Sequence, residues 1–100
     1  MGEKLYDWDP AEGLDTPEAI AVFLSGALET GDSGYIANAL GVAARAKGMS
    51  DLAQETGLSR SHLYEALSSE GNPTLDTTMR LIKAFGVDLE AKAHTEAQAG

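Results

Sequence analysis

Four glycines divide most of the chain into stretches of helical length, and this spacing restricts the possible folds more than any other feature. Gly31, Gly48, Gly57 and Gly86 each follow a stretch in which apolar residues recur at the helical period. Glycine ends helices readily because it takes a positive φ without steric cost. The spacing therefore predicts an all-α fold.

Polar residues that can cap a helix N-terminus precede the helical stretches. Thr16 is followed by Pro17, which suits the first helical position because the N–H that proline lacks has no helical partner there. Pro73 separates the last two helices because it cannot continue a helix. The predicted N-caps are Thr16, Asp32 or Ser33, Ser50, Ser59 and Thr74, and together they predict five helices.

The apolar positions of these helices form the predicted core. They are Ile20, Phe23, Leu24, Ala27, Leu28, Ile36, Ala39, Leu40, Ala43, Leu52, Leu58, Leu63, Ala66 or Leu67, Leu75, Met79, Ile82 and Phe85. After Gly86, apolar and polar residues alternate over 87–93, which is the period of a half-buried strand. A lone strand must pair with the N-terminal segment, pair across a dimer or fray, and we favour the dimer.

Composition narrows the possible classes of function. The chain has 100 residues, of which 43% are hydrophobic, and this fits one domain with a modest core. It contains no cysteine, no secretory signal pattern and no apolar run near the ~18 residues of a membrane span. We therefore expect a cytoplasmic protein without membrane contact. Phosphate-binding glycine loops, nucleophiles with a neighbouring base and metal-ligand clusters are not found, so we expect neither catalysis nor a cofactor.

Charge is distributed unevenly along the chain, whose formal net charge is -9. Residues 1–32 contain eight acidic residues and one basic residue, whereas residues 33–69 contain three of each. Charges in solvent are screened over about 8 Å at physiological salt. A neutral surface from the middle of the chain can therefore approach a polyanion if the acidic part of the molecule points away from it.

Residues 49–70 predict a helix-turn-helix unit, because two short helices are joined by a three-residue turn that begins with Gly57. In such a unit the second helix lies in the major groove of DNA. Arg45 and Lys47, at the end of the preceding helix, are predicted to contact phosphates. The outward residues of the second helix are predicted to contact DNA, and they are Ser59, Arg60, Ser61, His62, Tyr64, Glu65 and Ser68.

Some of these assignments have alternatives. His62 is either a DNA contact or a half-buried spacer. Arg45 and Lys47 also suit the C-terminal end of their own helix, where cations interact favourably with the helix dipole. Glu65 is repelled by phosphates unless it accepts a hydrogen bond from cytosine or pairs with Arg60. A purely structural helical pair would have the same turn chemistry.

The stretches "ARAKGMSDLAQETGLSR" and "LYEALSSEGNPTLDT" resemble the bacterial addiction-module antidote proteins that have a λ-repressor-like domain and are akin to HigA-type antitoxins. The resemblance covers about residues 9–93. It implies a five-helix domain whose second and third helices form the DNA reader. It also implies a homodimer that binds the double-stranded DNA operator of its own operon, and a small basic RelE/HigB-like toxin as partner.

The resemblance also gives the acidic N-terminus a role. We divide the chain into an acidic arm (1–15), a helix-turn-helix domain (16–86) and a short strand with a polar tail (87–100). Tyr6 and Trp8 either anchor the toxin or form a lid on the helices. Two other functions remain open, namely a toxin-binding module with little DNA binding and a transcriptional regulator without a toxin. The residues predicted to bind the basic toxin are Tyr6, Asp7, Trp8, Asp9, Glu12 and Asp15.

Overall fold

A computed structural model of the chain describes residues 13–68 and 70–94. Its helices are α1 (Pro17–Glu29), α2 (Ser33–Lys47), α3 (Met49–Thr56), α4 (Arg60–Ala66) and α5 (Leu75–Phe85). The described residues contain these five helices and no strand, so the prediction of an all-α chain with five helices is confirmed for this part of the chain.

Four predicted N-caps are confirmed by hydrogen bonds that their side chains accept from the backbone. The donor–acceptor distances lie between 2.9 and 3.2 Å. Each bond satisfies an N–H group that has no partner within the helix, which is why these residues determine where the helices begin. The four caps are Thr16 for α1, Asp32 for α2, Ser59 for α4 and Thr74 for α5.

The predicted cap at Ser50 is wrong. A cap at Ser50 would start the helix at Asp51, but α3 begins two residues earlier, at Met49, and Gly48 occupies its N-cap position without a side-chain hydrogen bond. Gly48 also ends α2, with a φ of 108°. Because one glycine serves both helices, the chain turns directly from α2 into α3, and this places Met49 in the core instead of in a loop.

α2 lies at the centre of the core. It packs against α1, α3 and α5, and α3 also packs against α4 and α5. Ala43 and Ala44 of α2 are fully buried. A Cβ atom on Gly41 would lie 3.0 Å from the carbonyl oxygen of Leu67, so the absence of a side chain lets the end of α4 approach the backbone of α2.

Most of the predicted core is buried, but α5 departs from the prediction. Leu75 and Met79 were expected to be in the core, and they are 74% and 43% exposed. Leu28 in α1 is likewise 42% exposed. The apolar period predicts one stripe along a helix, whereas the neighbouring helices cover only part of it. The buried side of α5 consists of Thr77, Leu81, Ile82 and Phe85.

Residues 87–94 of the single chain form neither helix nor strand, and the predicted pairing of a strand across a dimer remains a prediction. A strand is stable only when another strand satisfies its backbone groups, and the described part of the chain provides none. Residues 95–100 lie outside the described residues. At the other end Leu14, which belongs to the predicted acidic arm, is buried and packs into the core ahead of α1.

Candidate nucleic-acid interface

Local hydrogen bonds define the turn between α3 and α4. Gly57 has a φ of 79°, and its N–H donates to the carbonyl oxygen of Ala53 at 3.0 Å. The hydroxyl of the buried Thr56 donates to the carbonyl oxygen of Leu52 at 2.7 Å and accepts from the N–H of Leu58 at 3.2 Å. The turn therefore has satisfied polar groups, and the direction in which α4 leaves α3 is well defined.

α4 is held to the rest of the protein mainly by leucines. Leu63 is its one buried residue, with 0% exposure, and Leu67 is buried just after the helix ends. The remaining side of α4 faces solvent and is therefore accessible to a partner. All the predicted DNA contacts from this segment are exposed, namely Ser59, Arg60, Ser61, His62, Tyr64, Glu65 and Ser68.

The exposed side of α4 contains a stacked pair. The guanidinium of Arg60 lies 5.9 Å from the ring centroid of Tyr64, within the range of a cation–π interaction. Glu65 forms no salt bridge with Arg60 in the free protein, and its pairing with Arg60 or with cytosine on DNA remains a prediction. His62 is exposed and is therefore not a half-buried spacer. Its contact with DNA remains a prediction.

The two predicted phosphate contacts, Arg45 and Lys47, have different neighbours. Arg45 is exposed and lines a groove of about 220 Å³ together with Tyr64 and Ser68. Lys47 instead directs its Nζ towards Glu55 of α3, at 3.8 Å from the carboxylate oxygen. Arg45 therefore belongs to the same surface as the outward residues of α4, whereas Lys47 is partly neutralised.

Arg80 is a residue of this site that the sequence reasoning missed. Its Nη1 donates to the carbonyl oxygen of Thr56 at 2.8 Å, and its Nε donates to Asp76 at 3.0 Å. Arg80 thus connects α5 to the last residue of α3, immediately before the turn into α4. The spacing of Asp76 and Arg80 signals a pair on one helix. The bond to Thr56, 24 residues away, has no local signal.

The acidic part of the described chain lies on different elements from the outward face of α4. α1 packs mainly on α2, and α4 packs mainly on α3. Asp15 and Glu18 are exposed, and residues 13–44 contain no lysine or arginine. The other residues predicted to bind a toxin lie outside the described residues, and they are Tyr6, Asp7, Trp8, Asp9 and Glu12.

The described part of the chain has neither a metal-ligand cluster nor a helix that could span a membrane. Residues 13–68 and 70–94 contain no group of three or more His, Asp or Glu side chains that could hold a metal ion. Within the same part of the chain, every helix is too short or too polar to cross a membrane.

Comparison with known proteins shows the family. A family model described as a probable addiction module antidote protein matches residues 4–93. An uncharacterized protein of Haemophilus influenzae is 41% identical over 92 residues, which are 92% of this chain and 95% of that protein. No solved structure gives a significant match. Because the family model covers nearly the whole chain, the protein belongs to the family of probable addiction module antidote proteins.

Proposed function

We propose that the protein is the antitoxin of a type II toxin-antitoxin module, and that it represses its own operon as a DNA-binding homodimer. The family supports the antitoxin role, because an antidote implies a toxin partner. We also propose a HigA-like chain with a λ-repressor-like fold, in which α3 and α4 are the helix-turn-helix unit. The observation that carries DNA binding is the exposed outward side of α4, where Arg60 stacks on Tyr64.

In the proposed complex α4 lies in the major groove. The guanidinium of Arg60 forms two hydrogen bonds with O6 and N7 of a guanine, which no other base pair offers in the same arrangement. The cation–π contact with Tyr64 favours an arrangement of Arg60 that exists before binding, so less side-chain entropy is lost when DNA is bound. Arg45, in the groove beside Tyr64, neutralises a phosphate.

An acidic protein can bind DNA in this way because the charges are separated. The segment from residue 33 to residue 69 contains as many basic as acidic residues, and it includes α3 and α4. α1 packs on α2, and the exposed acidic residues Asp15 and Glu18 lie in or beside α1, on an element other than the reader. At physiological salt, charges more than about 8 Å from the DNA are largely screened.

The acidic N-terminal region has the charge that a basic toxin requires. We propose that a small basic RelE/HigB-like ribonuclease binds residues 1–15, with Tyr6 and Trp8 as apolar anchors. Asp15 and Glu18 are exposed and place two further negative charges at the start of α1. Deleting residues 1–13 should abolish co-purification of the toxin and leave operator binding intact, and the opposite pattern would refute this assignment.

The DNA-binding proposal is tested by fluorescence anisotropy with the upstream region of the protein's own operon. We expect a sequence-dependent complex that weakens as salt increases. Arg60→Ala should cost about 1–3 kcal/mol and relax specificity at one base position. Lys92→Ala, which removes an exposed cation outside the helices, is the matched control and should leave affinity nearly unchanged. If unrelated DNA competes as well as the operator, sequence-specific repression is excluded.

Lys47→Ala provides a second test of the proposed DNA interface. The sequence prediction is that it weakens binding to all DNA sequences alike, because a phosphate contact carries no base information. Lys47 is already close to Glu55, so we expect a smaller loss than for Arg45→Ala. Equal losses for the two variants would show that the ion pair with Glu55 opens on DNA.

A second candidate function is a toxin-binding module with little DNA binding. The observation that favours it is the exposed carboxylate of Glu65 on the face that would meet DNA, where it has no salt bridge to a described residue. Toxin neutralisation that survives Arg60→Ala in a protein without operator binding would establish this function. A regulator without a toxin is the third candidate, and a toxin captured by the tagged protein in its own host would exclude it.

A further inference from the structure

The peptide unit that begins the turn between α3 and α4 is held at both of its polar ends. The N–H of Gly57 donates to the carbonyl oxygen of Ala53 at 3.0 Å. The carbonyl oxygen of Thr56 belongs to the same planar unit, and it accepts from Nη1 of Arg80 at 2.8 Å. Rotation of this plane would weaken at least one of the two hydrogen bonds. The direction in which the chain leaves α3 therefore depends in part on a side chain of α5.

The guanidinium of Arg80 is itself held in place. Its Nε donates to the carboxylate of Asp76, one turn earlier in α5, at 3.0 Å. A planar guanidinium can make this bond and the bond to Thr56 at the same time, because its donors point in fixed and different directions. A Cβ atom on Gly57 would lie 3.7 Å from Nη1, so the guanidinium also lies against the turn. Arg80 thus connects α5 to the turn through a fixed geometry.

α4 has few other contacts that could fix its orientation. Leu63 is its buried residue, and Leu67 is buried just after the helix ends. A helix of 7 residues is not stable by itself in water, so its orientation is set by these leucines and by the turn that precedes it. Hydrogen bonds weaken steeply when donor and acceptor are misaligned. A small rotation of α4 would therefore impair a two-bond contact between Arg60 and guanine.

We propose that Arg80 is a positioning residue for DNA reading, which holds α4 at the angle where Arg60 meets its base pair. Arg80 has this role only if α4 reads DNA, so this part of the proposed function is its premise. It acts from outside the predicted helix-turn-helix unit of residues 49–70, through the carbonyl group of Thr56.

A phosphate contact is the alternative role for this arginine, whose side chain is 47% exposed. A phosphate contact acts through charge, so a lysine can replace the arginine, and its loss weakens binding to all DNA sequences alike. Positioning acts through the bond to Thr56, so its loss weakens binding to the operator more than binding to unrelated DNA. The two roles therefore differ in two measurable ways.

The proposal is tested by fluorescence anisotropy with operator DNA and with unrelated DNA. The full chain is used at a temperature where circular dichroism shows every variant to be folded. Arg80→Ala should weaken operator binding about tenfold and binding to unrelated DNA by less than about threefold. Asp76→Asn is the matched control, because an amide oxygen still accepts from Nε and the bond to Thr56 is kept. It should leave operator affinity within about twofold.

Arg80→Lys separates positioning from charge. Nζ of a lysine takes about the place of Cζ of the arginine, one bond short of Nη1, so the charge is kept while the bond to Thr56 is lost. We expect Arg80→Lys to bind the operator at least about fivefold more weakly than the unmodified chain.

Amide hydrogen exchange tests the positioning of α4 without DNA. The N–H of Leu63 forms the first hydrogen bond of α4, at 3.0 Å, and the N–H of Ile20 forms the equivalent bond of α1, at 3.1 Å. In Arg80→Ala the amides of Gly57 and Leu63 should lose at least about threefold more protection than the amide of Ile20, because only the turn and α4 open more easily.

Three results would overturn the proposal. They are unchanged operator affinity in Arg80→Ala, equal losses of protection at Leu63 and Ile20, and full operator affinity in Arg80→Lys, which would make Arg80 a phosphate contact. An unmodified chain that does not bind its operator would refute DNA reading, and hydrogen exchange would then decide separately whether Arg80 fixes the orientation of α4.

Discussion

α1 and α4 both lie at the surface of the protein, but they are built in opposite ways. α1 has 13 residues and buries Ile20, Leu24 and Ala27 along its length. Its exposed ends contain Glu18 and Glu29, without a basic residue nearby in the sequence. The helix is therefore stabilised along several turns and presents negative charge to solvent.

α4 has 7 residues and buries only Leu63. Isolated helices of this length are not stable in water, so its position depends on the turn before it and on the residues beneath it. Its exposed side contains Arg60 and Tyr64, which can make directional contacts.

The difference between the two helices shows that the net charge of the chain does not describe each of its surfaces. A charged side chain acts mainly on molecules that approach its own helix. Salt screens its interaction with charges in solvent that lie more than about 8 Å away. The difference also shows that α4, the helix proposed to read DNA, buries fewer of its own residues than α1. Substitutions that remove a buried side chain should therefore affect α4 much more than α1.

The largest effect is expected from Leu63→Ala. Leu63 is fully buried, and removing its side chain leaves a cavity under a helix with no other buried residue. We expect a loss of about 2–5 kcal/mol in the free energy of unfolding, measured by urea denaturation. Val22→Ala on α1 should change it by less than about 0.5 kcal/mol, because Val22 is 75% exposed. Similar losses in the free energy of unfolding for Leu63→Ala and Val22→Ala would contradict the conclusion that α4 depends more on a single buried residue than α1 does.

A pair of glycine substitutions should have effects of opposite sign. Gly57→Ala places a side chain at a φ of 79°, and we expect it to cost about 1–2 kcal/mol of stability. Gly26 lies inside α1, where an added Cβ atom would meet only open space, so Gly26→Ala should stabilise by about 0.5–1 kcal/mol. Thermal unfolding measures the stability of both variants. Stabilisation by Gly57→Ala would mean that the turn has a different backbone conformation.

Removing the bond between α5 and the turn should have a smaller effect. Arg80→Ala leaves the carbonyl oxygen of Thr56 without the donor that now lies 2.8 Å away, and we expect a cost of about 1 kcal/mol because the arginine is partly exposed. Asp76→Asn is the control, since it weakens the exposed pair with Arg80 but keeps the bond to Thr56. Asp76→Asn should lower the stability by only a few tenths of the loss expected for Arg80→Ala. If both variants lose the same stability, the ion pair and not the bond to Thr56 is the stabilising contact.

The smallest effect is expected from removing one negative charge from each helix in turn. Glu65→Gln on α4 should strengthen DNA binding about two- to fivefold at low salt, because it removes a repelling charge from the reader face. Glu29→Gln at the end of α1 removes the same charge from another element and should leave DNA affinity nearly unchanged. The difference in DNA affinity between the two variants should become smaller as the salt concentration rises. Weaker operator binding by Glu65→Gln would instead indicate that Glu65 accepts a hydrogen bond from cytosine.

Local interactions made much of the fold predictable. Thr16, Asp32, Ser59 and Thr74 accept hydrogen bonds from N–H groups two or three residues ahead, so the residues that decide a helix start lie next to it in the sequence. Gly57 ends α3 for an equally local reason, its positive φ. The exposed side of α4 was also predictable once Leu63 was placed in the core.

Other features of the site depend on residues that are distant in the sequence. Arg80 reaches Thr56 only because α5 packs against α3, and Arg45 joins the surface of α4 because Leu67 approaches α2 closely at Gly41. Neither contact can be predicted from the period of the apolar residues or from the spacing of the charged residues. Lys47 looked equivalent to Arg45 in the sequence, and its proximity to Glu55 distinguishes the two.

The sequence by itself determined five helices, most of their ends and the polar character of α4, because capping, backbone preference and apolar period act over a few residues. Tertiary structure alone decided which apolar side chains are covered. Leu75 and Met79 have the period of core residues yet remain exposed, and Ser50 has the chemistry of a cap yet lies inside α3. Burial depends on the arrangement of all the helices together, and no single segment contains that information.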